Sequence, residues 1–302
     1  MKNAPLSFIL FVVFPIFLSG SAITNAQTLF VGNAGGNAVG NYYLDGSVIN
    51  SNFITINNDP HSYGISGLAS SDNDIYVSSP ENGNVSEYTI SGNLVDSNLI
   101  PSIHPTPALA ISGTNLFAEN GNNGTIGEYS TSGVAINTNL ISGLGDLSWL
   151  AISGTNIYIS DHFNNRILEY TTSGVLVNPN LIPGIEAPLS IAISNEKMFV
   201  PTGNYVGEYN LDGSAINTNL ISGLLDTVAI AVYGSKLFVV SNFYGSTVSE
   251  YGIDGSLISS NFITGLDRPS ALAILPVPEP STYALFGFGA LALFLALRRK
   301  TA

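Results

Sequence analysis

One unit, a strand, a glycine turn and a second strand, is written six times along this chain. The copies read TLFVGNAGGNAVGNYYLDGSVINSNFI, DIYVSSPENGNVSEYTISGNLVDSNLI and NLFAENGNNGTIGEYSTSGVAINTNLI, then NIYISDHFNNRILEYTTSGVLVNPNLI, KMFVPTGNYVGEYNLDGSAINTNLI and KLFVVSNFYGSTVSEYGIDGSLISSNFI. A period of about 41 residues with no linker between copies means that each unit is too small to bury its own apolar face and must stack on its neighbours.

Three columns say how the units stack. Gly46, Gly92, Gly133, Gly174, Gly213 and Gly255 each follow Asp or Ser between strand-like runs, which is the chemistry of a hairpin turn needing positive φ. Tyr42, Tyr88, Tyr129, Tyr170, Tyr209 and Tyr251 mark one strand, and Asn52, Asn98, Asn139, Asn180, Asn219 and Asn261 are expected to open a loop after the next. Each unit closes on an apolar strand with a small residue, read as Gly64, Ala110, Ala151, Ala192, Ala231 and Ala273. Small side chains are needed where several wedge-shaped sheets converge on an axis. The reading is therefore all-β: a six-bladed β-propeller over residues 27–276, with four short strands per blade around a channel. The first copy enters at its second strand and the last segment, PSALAIL, is an inner strand without a blade. It is expected to complete the first blade, removing two sheet edges.

The fourth copy, GTNIYISDHFNNRILEYTTSG, resembles the NHL repeat, with Asp161, Asn165, Arg166 and Ile167 on its pattern. The other five copies lack the Asp and the Arg, so the resemblance implies the fold and an intrablade brace rather than a ligand.

The two ends are different in kind. Lys2 precedes LSFILFVVFPIFLSG, with small residues at Ala22 and Ala26, the pattern of a secretory signal peptide over residues 1–26. Residues 277–302 carry Pro278-Glu279-Pro280, an apolar run expected as a transmembrane helix over 283–297, and Arg298-Arg299-Lys300. That order resembles the PEP-CTERM sorting signal. The resemblance implies a transient membrane anchor, an exosortase as processing partner, and a mature body at the cell surface or outside the cell.

Without both ends, four basic residues, Arg166, Lys197, Lys236 and Arg268, face twenty acidic ones, a net charge of −16. Such a body repels nucleic acid and anionic lipid. The sequence has no Cys, which excludes disulfides, thiolate metal sites and a Cys nucleophile.

No phosphate loop, zinc-protease helix, nucleophile elbow or calcium-hand loop is written here, so no catalytic residue is assigned. The blade-to-blade loops, which a propeller gathers at one mouth of its channel, each bring a titratable group: Asp59, His104, Asp146, Glu186, Asp226 and Asp267, with His61 and Trp149 alongside and His162 nearby. Facing one axis they would form an electronegative funnel suited to Ca²⁺. Each taken singly is also an ordinary turn residue. Glu87, Glu128, Glu169, Glu208 and Glu250, with Asn41 in the first copy, recur once per blade at one strand position and read as structural.

Two functions compete. One is a non-catalytic surface or matrix protein binding an extracellular polysaccharide or a surface protein. The other, implied by similarity to gluconolactonase-type propellers, is a Ca²⁺- or Zn²⁺-dependent hydrolase or lyase with its site at the channel mouth.

Overall fold

The computed structural model describes residues 27–56, 64–79, 83–101, 108–120, 124–144, 147, 149–242 and 246–275. The expected signal peptide and the sorting segment with its apolar run lie outside the described residues.

The strands, in chain order, are β1 (Thr28–Asn33), β2 (Ala38–Tyr43), β3 (Val48–Thr55), β4 (Gly67–Ser70), β5 (Asp74–Ser79), β6 (Asn84–Thr89), β7 (Leu94–Pro101) and β8 (Leu109–Ser112). They continue as β9 (Asn115–Asn120), β10 (Thr125–Ser130), β11 (Ala135–Ile141), β12 (Trp149–Ser153), β13 (Asn156–Asp161), β14 (Arg166–Thr171), β15 (Leu176–Pro183) and β16 (Ala192–Ser194). The last are β17 (Lys197–Pro201), β18 (Tyr205–Asn210), β19 (Ala215–Ser222), β20 (Thr227–Tyr233), β21 (Lys236–Ser241), β22 (Thr247–Gly252), β23 (Leu257–Ile263) and β24 (Pro269–Ile274).

They form six four-stranded sheets, and five of these are consecutive in sequence. The sixth, blade 1, has the order β24-β1-β2-β3. β24 lies antiparallel to β1, with Leu29 opposite Ile274 and Val31 opposite Leu272. The inner strands touch in a closed circuit, β24 to β4, β8, β12, β16, β20 and back to β24. The molecule is thus a six-bladed propeller zipped by its last strand, as the phase of the repeat requires.

The wedge shape comes from an alternation of sizes. Ala273, Ala69, Ala110, Ala151, Ala192 and Ala231 on the inner strands sit opposite Phe30, Tyr76, Phe117, Tyr158, Phe199 and Phe238 on the second strands. The aromatics are all buried and fill the space that opens between sheets as they diverge from the axis. One member of the expected small column moves: Ala69, not Gly64, holds the blade 2 position. Gly46 and Gly92 are 46 residues apart where later turn glycines stand 39–42 apart, so a count carried from the turn falls short of β4. Gly64 serves the entry to that strand, at φ +63° and against the Ala34 backbone.

Each turn glycine has two tasks. In blade 1 the Gly46 N–H donates to the Tyr43 carbonyl and the Tyr43 N–H to the Ser47 carbonyl, both at 2.9 Å, a tight turn whose last residue takes φ +85°. A Cβ on that glycine would also meet the Phe262 carbonyl of blade 6 at 2.6 Å. The same approach recurs around the ring: Gly92 meets Phe53, Gly133 Leu99, Gly174 Leu140, Gly213 Leu181 and Gly255 Leu220, always the outer strand of the preceding blade. The turns therefore couple blades as well as strands.

The Asn column does not open a loop as expected; it lies inside the outer strands. There the backbone N–H of Asn52, Asn98, Asn139, Asn180 and Asn219 is taken by the side-chain oxygen two residues earlier, at 2.8–3.1 Å. The register shifts at the same place in every blade. A bulge absorbs the irregularity, so the strand resumes pairing beyond it.

Candidate functional site

Propeller topology places the connections into each inner strand, and those between second and third strands, at one end of the axis, here the mouth. The hairpin turns carrying Gly46 and its equivalents mark the other end, the base. β24 runs from mouth to base, and β1 starts at the base.

At the mouth lies an axial cavity of about 350 Å³. Its walls are Ala34, Ile65, Leu147, Leu189 and Val228, its polar rim is Ser66, Ser190, Ser270 and Asn242, and Trp149 completes it. Five blades contribute to this lining. Half of the rim is already engaged in joining blades. Ser270 Oγ donates to the Ile65 carbonyl at 2.5 Å, and Ser190 Oγ accepts from the Ile230 N–H at 3.3 Å. Asn242 differs: its backbone N–H donates to the Asp226 carbonyl at 3.1 Å, but its side-chain oxygen is buried without a hydrogen-bond partner among the described residues.

Trp149 is the irregular member of a regular position. It stands two residues before Ala151 on the inner strand, where the other blades carry Gly67, Ala108, Ser190, Ala229 and Ala271. Five small residues leave room at the axis, and the one indole takes it. Trp149 is 7% exposed and also lines a second cavity of about 270 Å³, bounded by Leu68, Ile191, Ile230 and Leu272 on the base side. It thus separates the mouth cavity from the rest of the channel.

The titratable residues expected at the mouth are placed as follows. Asp59, His61, His104 and Asp146 lie outside the described residues. Glu186, Asp226 and Asp267 are exposed and are not in the cavity lining. Asp226 has φ +52° and stands five residues before Ala231, the place held by Gly64, Ala187 and Arg268 in their blades, all at positive φ. Its position answers a backbone need of the turn. Asp267 faces Gly35 in the β1–β2 turn and receives the Gly35 N–H on its carbonyl at 3.0 Å. Among the described residues no three His, Asp or Glu side chains gather as a metal-binding group.

In blade 4, Asp161 is 1% exposed and accepts from Arg166 Nε at 2.9 Å and from Asn164 Nδ2 at 2.8 Å. Asn165 Oδ1 accepts from the Ala187 N–H at 2.8 Å, tying this turn to the loop ahead of blade 5. His162 is half-buried and meets the exposed Phe163 edge-on at 5.3 Å. One buried acid escaped sequence reasoning: Glu119, at the mouth end of β9, is 1% exposed.

The glutamate column braces blades 3 to 6. Glu128 accepts from Asn115 Nδ2 at 2.6 Å, and Glu169 from Asn156 Nδ2 at 2.7 Å. Glu208 pairs with Lys197 and Glu250 with Lys236, each at 2.5 Å. In blade 2 the equivalent of these partners is Asp74, an acid facing an acid. Burial, and then the Asp74 charge, raise the Glu87 pKa, and burial raises that of Asp74. A carboxyl whose folded pKa is raised holds its proton more tightly when folded. Its contribution to stability is present at low pH and is lost as pH rises through the folded pKa. Asp74→Asn, the arrangement of blades 3 and 4, is therefore expected to stabilise the protein by about 0.5–1 kcal/mol at pH 7, since the pair is partly solvated. The gain should vanish near pH 3, as thermal melts of both proteins across that range will show.

Residues 276–300 match the PEP-CTERM protein-sorting motif. The motif marks the chain as exported, and as anchored at the membrane before an exosortase-type system processes it. No curated protein matches the chain. Among solved structures, a chain of a nidogen/laminin complex superposes with a TM-score of 0.68 at 14% identity, over 84% of this chain and 100% of that one. A streptogramin B lyase gives 0.52 at 15% identity, over 70% of this chain and 87% of its own. A catalytically inactive virginiamycin B lyase from Staphylococcus aureus with quinupristin gives 0.52 at 17%, over 80% and 86%. At such identities the likeness is one of fold, and the NHL-like six-bladed reading of the repeat stands with it.

Proposed function

We propose that this chain is a non-catalytic binding protein of the cell surface or extracellular matrix, delivered there by its sorting signal. In this reading residues 1–26 direct export, residues 283–297 hold the chain in the membrane until an exosortase acts, and the propeller binds a glycan or a surface protein at its mouth. The observation that carries the reading is the make-up of the mouth cavity. Its described lining is apolar with a serine and asparagine rim and contains no titratable side chain. A cavity of that kind offers shape, apolar contact and a few hydrogen bonds, which is what recognition requires. General acid–base chemistry needs a proton-transferring group within reach of the ligand.

The test is a glycan array and calorimetry on the exported protein, with product analysis of every ligand that binds. Saturable binding without turnover, weakened at least tenfold by Trp149→Ala, is expected. Hydrolysis or elimination of a bound lactone or glycan, dependent on added Ca²⁺ or Zn²⁺, would replace this reading with the metal-dependent enzyme.

A further inference from the structure

We infer that the mouth cavity is a socket for the terminal ring of a neutral glycan, entered end-on; the inference rests on the binding reading above and narrows its ligand. The first support is the closed floor. Trp149 lines both the mouth cavity and the apolar cavity on its base side, so it divides the channel, and a polymer entering at the mouth cannot thread through. A blind cavity of about 350 Å³ is at the small end of ligand sites. It holds one ring rather than several.

The second support is the pairing of surfaces. An indole presents a broad, rigid apolar area, and one face of a pyranose is a patch of C–H groups ringed by hydroxyls. The hydroxyl rim then needs partners at the edge of the socket. Ser270 is engaged between blades, whereas Asn242 Oδ1 has no partner among the described residues and sits in the lining. A buried acceptor without a donor is unfavourable by about 1–3 kcal/mol, and a sugar hydroxyl supplies that donor. The exposed Phe163 in the β13–β14 turn, on the same mouth and the same blade as Trp149, offers a further apolar contact for the ring that follows.

The third support is charge. The described lining carries none; Glu186, Asp226 and Asp267 stand exposed in the loops around it with Arg268 as the one cation beside them among the described residues, a net of two negative charges, and Arg166 is committed to Asp161. An anionic sugar would meet this acidic rim without a cation in the socket to receive it. A neutral ring meets no such barrier.

Titration calorimetry on the exported protein tests the inference, using the methyl glycosides of glucose, galactose, mannose and N-acetylglucosamine, with glucuronate and galacturonate beside them. At least one neutral glycoside should bind, and its uronate should bind at least tenfold more weakly. A short oligosaccharide of the same sugar should bind with its terminal ring free and fail when that ring carries a bulky benzylidene acetal. Trp149→Ala and Asn242→Ala should each weaken binding tenfold or more, and Trp149→Phe should retain most of it. Asn242 is at the rim, so its variant reports on binding even where Trp149→Ala folds poorly.

The inference is overturned if no neutral glycoside binds up to about 10 mM, the weak limit for a single ring. It is equally overturned if uronates bind as well, or if the capped oligosaccharide binds as tightly as the free one. Should an acidic glycan or a surface protein then bind in a Trp149-dependent way, the general binding reading survives and only the neutral socket falls. If nothing binds at the mouth, both fall.

Discussion

Removing Pro269–Leu275 is expected to abolish cooperative folding rather than merely lower the melting temperature. The strand contributes Ala271, Leu272 and Leu275, all buried, and its loss uncovers Leu29 and Val31 opposite it. It also breaks the contact circuit at both sides, since β24 touches β20 and β4. Two blade-to-blade hydrogen bonds go with it, Ser70 Oγ to the Ile274 carbonyl at 2.9 Å and Ser270 Oγ to the Ile65 carbonyl at 2.5 Å. Truncating one buried leucine typically costs about 2–5 kcal/mol, and a whole domain has only about 5–15 kcal/mol in hand. Calorimetry should show no sharp transition, and near-ultraviolet dichroism should show loss of fixed aromatic packing. A synthetic peptide of residues 268–275 added in trans should restore part of both signals. A deletion variant that melted as a monomer within about 5 °C of the parent, a shift worth only about 1–2 kcal/mol at this size, would show that the ring does not depend on its clasp.

Gly213→Ala should destabilise by about 3 kcal/mol or more, and Gly223→Ala by only about 1 kcal/mol. Both residues have positive φ, +83° and +74°, so both variants incur the left-handed penalty. They differ in surroundings. A Cβ at Gly213 meets the Leu181 carbonyl of the neighbouring blade, whereas one at Gly223 meets nothing within 4 Å. At about 2–4 °C per kcal/mol for a domain of this size, the melting points should separate by several degrees. Equal effects would mean that the turns join strands and do nothing between blades.

The parts of this fold that were legible in sequence are those in which one residue type answers one backbone demand. The six turn glycines were visible because little else tolerates φ near +80°, and the unpaired PSALAIL segment was visible because strands come four to a blade. The second task of those glycines was not legible, because it depends on a carbonyl of the preceding blade, 32–39 residues back for five of them and 216 residues ahead for Gly46, that no local pattern reveals. Ala69 was missed where the spacing lengthens between Gly46 and Gly92. The buried aromatics from Phe30 to Phe238 became meaningful only once their alanine partners across the sheet were known.

The mouth divides in the same way. In sequence Asp226 reads equally as a funnel member and as a turn residue, and its positive φ, shared with Gly64, Ala187 and Arg268, supplies the backbone reason for the turn. Trp149 is legible in the sequence as a mouth residue, but that it fills a position the other inner strands keep small depends on the strand register. Glu119 occupies the place of Gly32, Ser78, Ser160, Pro201 and Val240, and neither size nor polarity along that column announces a buried acid.

β1 begins and β24 ends on the side of the disc opposite the socket, where the Leu275 N–H meets the Thr28 carbonyl at 3.0 Å. The described ring therefore hands the chain on from its base at Leu275, at the end of the axis away from the mouth cavity. On the binding reading proposed above, the mouth would then be as open before the stem is cut as after it.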